Sequence, residues 1–377
     1  MLQSLDKHLH IVALDVPYPV DYGGVFDLFY KLVALKEQGI RIHLHCFEYG
    51  RGEQQELLKY CEKVYYYPRK EGHKGFSLSI PYIVASRNDA TLWERLSKDN
   101  HPVLLEGVHC CYGLHAGLLK NRRVLLRLHN VEYEYYNHLC KWESSMVKKA
   151  YFKHESRLLK RFEKEIANLA TIVTVSKKDE QVYRKQFLAK DTHFLPVFFP
   201  IQKVTSKEGQ GTFVLYHGNL SVAENEKVAI WLIEKIFNDL EIPFVIAGKN
   251  PSERLKHLAH SKPYICLVEN PQEAELNDLI QKAQVHLLPS FTNSGIKLKL
   301  LNALFNGRHV IVNQEMIDGT GLEKGCQLAN NPKEIKYHTY RLFHKNFSMQ
   351  DITLREQLLA THFNNEDHAK KLISWLW

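Results

Sequence analysis

A chain of 377 residues, 45% hydrophobic and 24% charged, is long enough for two cored domains and has the composition of an ordinary globular protein. No apolar run approaches the roughly 18 residues that span a bilayer, and Met1–Lys7 lacks a signal-peptide pattern, so the protein is expected in the cytoplasm. Its seven scattered cysteines contain no C-x-x-C pair, and its +8 net charge comes without an aromatic-and-basic RNA signature, which argues against disulfides, zinc and nucleic acid.

Short apolar runs alternate with amphipathic stretches throughout, the signature of an α/β protein with parallel sheets. In the first half, strands are expected at His10–Val16, Arg41–Phe47, Lys63–Tyr67, Val103–Glu106, Val124–Leu128 and Thr171–Val175. Helical patterns fall near 25–38, 90–98, 112–120, 132–168 and 177–187. After the first strand the chain runs from Asp15 through two prolines to Gly23-Gly24, where a helix begins. Glycines at such a turn let backbone approach a ligand with no Cβ in the way. The dinucleotide fingerprint G-x-G-x-x-G is absent.

The strand Val124–Leu128 delivers His129 to its C-terminal end, the end at which doubly wound sheets bind ligands; Asn130, Glu132 and Tyr133 follow. His43 and His45 sit inside a strand pattern with one partner missing for a metal site and read as structural. Half of the net charge lies in Lys141–Ile166, with eight Lys or Arg against four Glu. Apolar residues at 147, 151, 158, 162, 166 and 169 have helical spacing, predicting one buried stripe and a basic outer face. Such a face is either solvated or attracted to an anionic membrane surface.

Pro196 to Gly211 carries prolines, then Ser206 and glycines without a clear period, and reads as a linker. The second half repeats the scheme, with strands at Phe213–His217, Pro243–Ala247, Tyr264–Val268, Val285–Pro289 and His309–Val312. Its helical patterns lie near 223–237, 252–259, 273–283 and 296–305, and two more close the chain. The first strand runs into Gly218-Asn219-Leu220, the second into Gly248-Lys249, the third ends at Val268. The fourth runs through a polar loop to Ser294-Gly295-Ile296-Lys297-Leu298-Lys299, opening a helix that contains Asn302. Cations are disfavoured in a first helical turn unless an anion sits there; helix N–H groups and the dipole make that place suited to a phosphate or diphosphate.

In this order the segments resemble the family-4-like glycosyltransferases of GT-B fold (glycosyl transferases group 1): the Gly23-Gly24 loop, His129-Asn130, the linker, the Gly218-Asn219-Leu220 loop and the Gly295-x-Lys297-x-Lys299 helix. The resemblance implies two doubly wound Rossmann-like domains with an interdomain cleft. An acceptor-side domain would span 1–197, completed by a C-terminal helix around 363–377. A linker at 198–211 would lead to a donor-side domain at 212–350. The implied activity moves a sugar from a nucleoside diphosphate sugar to a glycan or lipid-linked acceptor, with retention and with neither metal nor cofactor. Its implied catalytic residues are His129 and Lys297. Gly218, Asn219, Lys249, Val268, Ser294, Gly295, Ile296, Lys297, Lys299 and Asn302 would hold the donor, with Gly23 and Gly24 closing over it. Departures stand out: Asn219 replaces the family's arginine, Glu224-Asn225-Glu226 stands where its lysine is expected, and Ser294 and Asn302 occupy the two positions of its acidic pair. These admit an alternative, a catalytically degenerate binding or scaffold protein, and a GT-B epimerase or phosphorylase would share the fold. No Asp-x-Asp occurs, which speaks against the metal-dependent GT-A type. The protein would work in the cytoplasm or at the inner face of the membrane, touching it through the basic helix 141–166.

Overall fold

Two parallel sheets, each alternating with helices, follow from the two runs of apolar segments. The computed structural model describes residues 6–20, 23–143, 145–201, 203–292 and 297–377. It falls into two units: one runs to Pro200 and takes in Phe363–Trp377, the other lies between Ile201 and His362.

The first unit holds β1 (His8–Ala13), β2 (Arg41–Glu48), β3 (Lys63–Pro68), β4 (Val103–Glu106), β5 (Val124–Leu128), β6 (Thr171–Thr174) and β7 (Thr192–Phe194), in the order β3-β2-β1-β4-β5-β6-β7. The second holds β8 (Val214–His217), β9 (Phe244–Gly248), β10 (Ile265–Glu269), β11 (Val285–Leu287), β12 (His309–Val312) and β13 (Gln327–Leu328), in the order β10-β9-β8-β11-β12-β13. Every pairing is parallel, with His10 opposite His43 and Val285 opposite Val214 as register marks.

Alternating side chains place both faces of the first sheet in core. Leu9, Ile11 and Ala13 pack with Leu28, Leu32 and Leu35 of the helix Gly23–Glu37 and with Ala369, Leu372 and Leu376 of the helix Asn365–Leu376. On the other face Val12, Leu105 and Leu126 meet Leu159 and Phe162. In the second unit Leu215 and Ala247 pack on Ile280 and Ala283.

Several expected elements come out differently. The first strand begins two residues earlier than the apolar run, at half-buried His8, whose ring is hydrogen-bonded to that of His43 on β2 at 2.8 Å. The expected helix 132–168 is two helices, Glu132–Trp142 and Met146–Ile166. Glu143 is extended (ψ 140°), and Ser145 starts the second helix by accepting from the Lys148 N–H at 3.5 Å. The expected buried stripe holds in its later part: Leu158, Phe162 and Ile166 are buried, whereas Val147, Tyr151 and Leu169 are exposed and Leu159 and Glu163 are buried in addition. Two short strands, β7 and β13, were not expected; three and two residues are too few to show a period. Among the described residues no helix is long and apolar enough to cross a membrane.

Candidate functional site

Strand order reverses between β1 and β4 in the first unit and between β8 and β11 in the second. At such a point the connections diverge to opposite faces and leave room at the strands' C-terminal ends.

In the second unit β8 ends on buried His217 and is followed by Gly218 and exposed Asn219. The Gly218 N–H donates to the Ala247 carbonyl at 3.1 Å. A Cβ on Gly248 would lie 2.0 Å from the Gly218 carbonyl oxygen, so only glycine lets the end of β9 approach this turn. Asn219 folds back on itself, its Oδ1 accepting from the Ser221 N–H at 3.1 Å and the Ser221 hydroxyl at 2.7 Å. Asn225 bridges outward from there: its Nδ2 donates to the Asn219 carbonyl at 2.9 Å, and its Oδ1 accepts from Lys299 Nζ at 3.1 Å. The same Nζ lies 5.2 Å from the centre of the Tyr216 ring.

Beyond β11 the chain is gripped by one carboxylate. Glu224 Oε1 accepts from the Ser290 hydroxyl (2.7 Å) and from the Phe291 and Thr292 N–H groups (3.1 Å each), while Oε2 accepts from the Thr292 hydroxyl at 2.9 Å. Burial would raise this carboxyl. The hydroxyls of Ser290 and Thr292 and the charges of Lys297 and Lys299 outweigh burial and hold it below its usual value. Lys297 occupies the N-cap position of the helix Leu298–Asn306 and donates to the Thr292 carbonyl at 3.3 Å. Burial, with Lys297 adding repulsion and Glu224 opposing, brings the Lys299 ammonium down to about 8. His217 is pushed down to about 3 by burial and by Lys299, so it stays neutral.

The structure thus gathers Gly218, Asn219, Lys297 and Lys299 through Glu224 and Asn225. Lys249 is exposed just past β9, Val268 is half-buried on the edge strand β10, and Asn302 is half-buried within the helix. Ser294, Gly295 and Ile296 lie outside the described residues.

His129 belongs to the first unit and is not free there. It ends β5 beside a buried cluster formed by Asp27, Lys31, Glu106 and Arg127. Asp27 accepts from Arg127 Nε (3.0 Å) and Nη2 (3.1 Å), from the Phe198 N–H (2.8 Å) and from His129 Nε2 (3.2 Å), and Lys31 Nζ lies 3.0 Å away. Glu106 receives Lys31 at 2.6 Å, with His129 Nε2 3.4 Å from its other oxygen. Burial lowers the His129 pKa, but Asp27 and Glu106 more than reverse that, and the imidazole ends above its ordinary value. Asp27, Glu106 and His129 have ligand atoms within 4.8 Å of one another, the spacing of a metal site. Lys31 and Arg127 already supply the two positive charges those carboxylates need, so the trio is committed to protein cations. Gly23 and Gly24 form the first turn of the helix Gly23–Glu37 instead of a loop before it, four and three residues ahead of Asp27.

Sequence reasoning missed Asp27, Lys31, Glu106, Arg127 and Glu224. A signal existed for two of them. Arg127 and Glu106 interrupt apolar strand runs, and a charge in a strand covered on both faces must be paired.

Residues 211–344 match the family model described as glycosyl transferases group 1. The chain carries a group 1 glycosyltransferase domain. The whole chain is similar in fold to TarM (TM-score 0.71, 11% identity, all of both chains) and to WaaG, a glycosyltransferase involved in lipopolysaccharide biosynthesis (TM-score 0.61, 11% identity, 98% and 99% of the two chains). HepE of Anabaena, seen with UDP and glucose, matches at TM-score 0.64 and 11% identity over 99% of each chain. An uncharacterized 44.6 kDa protein in the cps region of Klebsiella pneumoniae is 28% identical, over 96% of this chain and 97% of that one. The matched glycosyltransferase domain contains both β8–Gly218 and the Lys297–Lys299 helix start, and the fold is GT-B, with two Rossmann-like halves.

Proposed function

We propose that this glycosyltransferase takes a nucleoside diphosphate sugar as donor and passes the sugar, with retention and without a metal or cofactor, to a glycan or lipid-linked acceptor. What carries the reading is the pair Lys297 and Lys299 at the start of the helix Leu298–Asn306, beside the Gly218-Asn219 turn. A diphosphate placed there meets two ammonium groups and the helix's free N–H groups, which stabilise negative charge as it develops on the leaving group. Asn219 supplies hydrogen bonds but no charge, so the lysines provide the neutralisation. Glu224 would serve indirectly, holding Ser290–Thr292 in place without touching the anion. Asn302 is assigned to the ribose, Lys249 and Val268 to the donor's periphery, and His129 to the transferred sugar, with Asp27 and Glu106 fixing its ring. The location of the Klebsiella relative in a cps region supports a polysaccharide as the acceptor's destination.

The test is a thermal-shift screen against UDP, GDP, ADP, CMP and TDP and their sugars. A ligand at about 100 times its Kd adds roughly 2.7 kcal/mol and raises the melting temperature by a few degrees. One base should stand out, and Lys297→Ala with Lys299→Ala should abolish its shift while the unliganded protein still unfolds in one cooperative transition. A double variant with unchanged nucleotide affinity would sink the phosphate assignment; no shift with any nucleotide would favour a degenerate, non-catalytic protein.

A further inference from the structure

At the C-terminal ends of β1, β2 and β3 the first unit contains a cavity of about 530 Å³ whose lining includes Asp15, Tyr49, Arg51, Arg69, Arg87 and His109. Among the described residues that line it are three arginines and one carboxylate. Arg87, 2% exposed, is fixed by bonds from Nε to the Leu14 carbonyl (2.8 Å) and from Nη1 to the Ile83 carbonyl (3.0 Å). The Arg69 guanidinium lies 4.4 Å from the centre of the Tyr49 ring, and that of Arg87 lies 5.5 Å from the same ring. Arg51 donates to the Pro19 carbonyl. Among the described residues neither Arg69 nor Arg87 has a carboxylate within ion-pair distance. Arg69 Nε and His109 Nδ1 are buried with no hydrogen-bond partner.

Stacking on Tyr49 compensates part of the cost of bringing Arg69 beside Arg87, but it leaves the Arg69 Nε–H unused. Buried donors without partners and like charges drawn together are both unfavourable, and a single oxyanion relieves both. Guanidinium forks match the two oxygens of a carboxylate or phosphate, and the site lies where a doubly wound sheet binds ligands.

We propose that this cavity receives the acidic group, phosphate or carboxylate, of a negatively charged acceptor saccharide. The word acceptor rests on the glycosyl-transfer reading; the anion site does not. Arg69 and Arg51 would grip the oxyanion, and Arg87, held by two carbonyls, would set the depth at which it stops. Neutral sugars would leave Arg69 and Arg87 without a counter-charge.

The experiment is isothermal titration of the full chain with D-glucuronate, glycerol 1-phosphate and, as neutral control, D-glucose. It uses the wild type, Arg69→Gln, and the Lys297→Ala/Lys299→Ala variant, with UDP titrated in parallel. At least one acid should bind tenfold or more tighter than glucose. Glucuronate preference would name a carboxylate, glycerol phosphate preference a phosphate. Arg69→Gln should erase that preference and keep UDP binding; the lysine variant should do the reverse. Acids binding no tighter than glucose, or binding Arg69→Gln unchanged, would overturn the proposal. A parallel loss of UDP in Arg69→Gln would overturn it too, since the anion would then be the donor's. Wild type that binds an acid but no nucleotide would leave the anion site standing and end the transfer reading. Should Arg69→Gln not fold, Arg51→Gln carries the same comparison.

Discussion

Lys299 shows how a single side chain is set by its surroundings. With its ammonium brought down to about 8, part of the population is neutral in mildly alkaline buffer. A diphosphate favours the charged form, so binding above that point takes up a proton. Nucleoside diphosphate affinity should therefore fall as pH rises through about 8, and Lys299→Arg, which stays charged, should flatten the slope. Titrations at pH 7, 8 and 9 measure it; a slope that persists in the arginine variant would point to another group. Asp27 is the converse case, an anion at the centre of four side-chain and backbone donors and one more ion pair. Asp27→Asn leaves Lys31 and Arg127 short of a buried countercharge and should cost about 3–5 kcal/mol. Urea unfolding checks it, and an unchanged midpoint would mean that the cluster does not hold the first unit together.

Helix ends carry the argument one level up. The helix Glu132–Trp142 has no capping side chain of its own. Glu163, from the middle of the next helix, accepts the Glu132 N–H (2.9 Å) and the Tyr133 N–H (3.0 Å), and the Tyr183 hydroxyl (2.9 Å) completes its set. Glu163→Ala would leave two helix donors buried without partners, at about 1–3 kcal/mol each. We expect a loss of about 2–4 kcal/mol in chemical denaturation, far more than Glu165→Ala on the exposed side of the same helix. Period alone put Val147 and Tyr151 inward together with Leu158, Phe162 and Ile166, and only the last three are buried. Glu155 and Glu163, which a hydropathy pattern places outside, are buried beside them because they accept N–H groups at the starts of neighbouring helices. The first-strand boundary moved for a related reason. His8 and His43 share a 2.8 Å hydrogen bond, and a hydropathy pattern cannot credit two histidines that satisfy each other.

At the scale of the whole molecule, buried neutral histidines set the response to acid. Burial brings His10 and His309 down to about 4, His217 to about 3 and His45 to about 2. Unfolded, each takes its proton near 6.5, so between pH 6.5 and 4 the unfolded chain binds more protons and stability falls as pH falls. A group lowered to about 4 forfeits up to about 3 kcal/mol across that window. His129, raised in the fold, acts the other way: its contribution is complete below 6.5 and is lost as pH rises through its folded value. His109 and His286 are lowered too, whereas burial raises Glu132 to about 7 and Glu163 to about 8, so these two join His129 in favouring the fold in acid. Six histidines against three opposing groups predict a melting temperature lower at pH 5 than at pH 7, measurable by calorimetry; an equal or higher value at pH 5 would refute the balance. The sequence by itself determined the α/β class, most strands, the helix carrying Lys297 and Lys299 and the strand-end position of His129, because these depend on local period and on polar residues closing apolar runs. Only the tertiary structure decided which charges meet. Asp27, Glu106 and Arg127 lie on separate elements up to 100 positions apart, and Glu224 reaches residue 290 across 66. No local pattern encodes such pairings, since a buried charge chooses its partner from whatever the sheet order brings beside it.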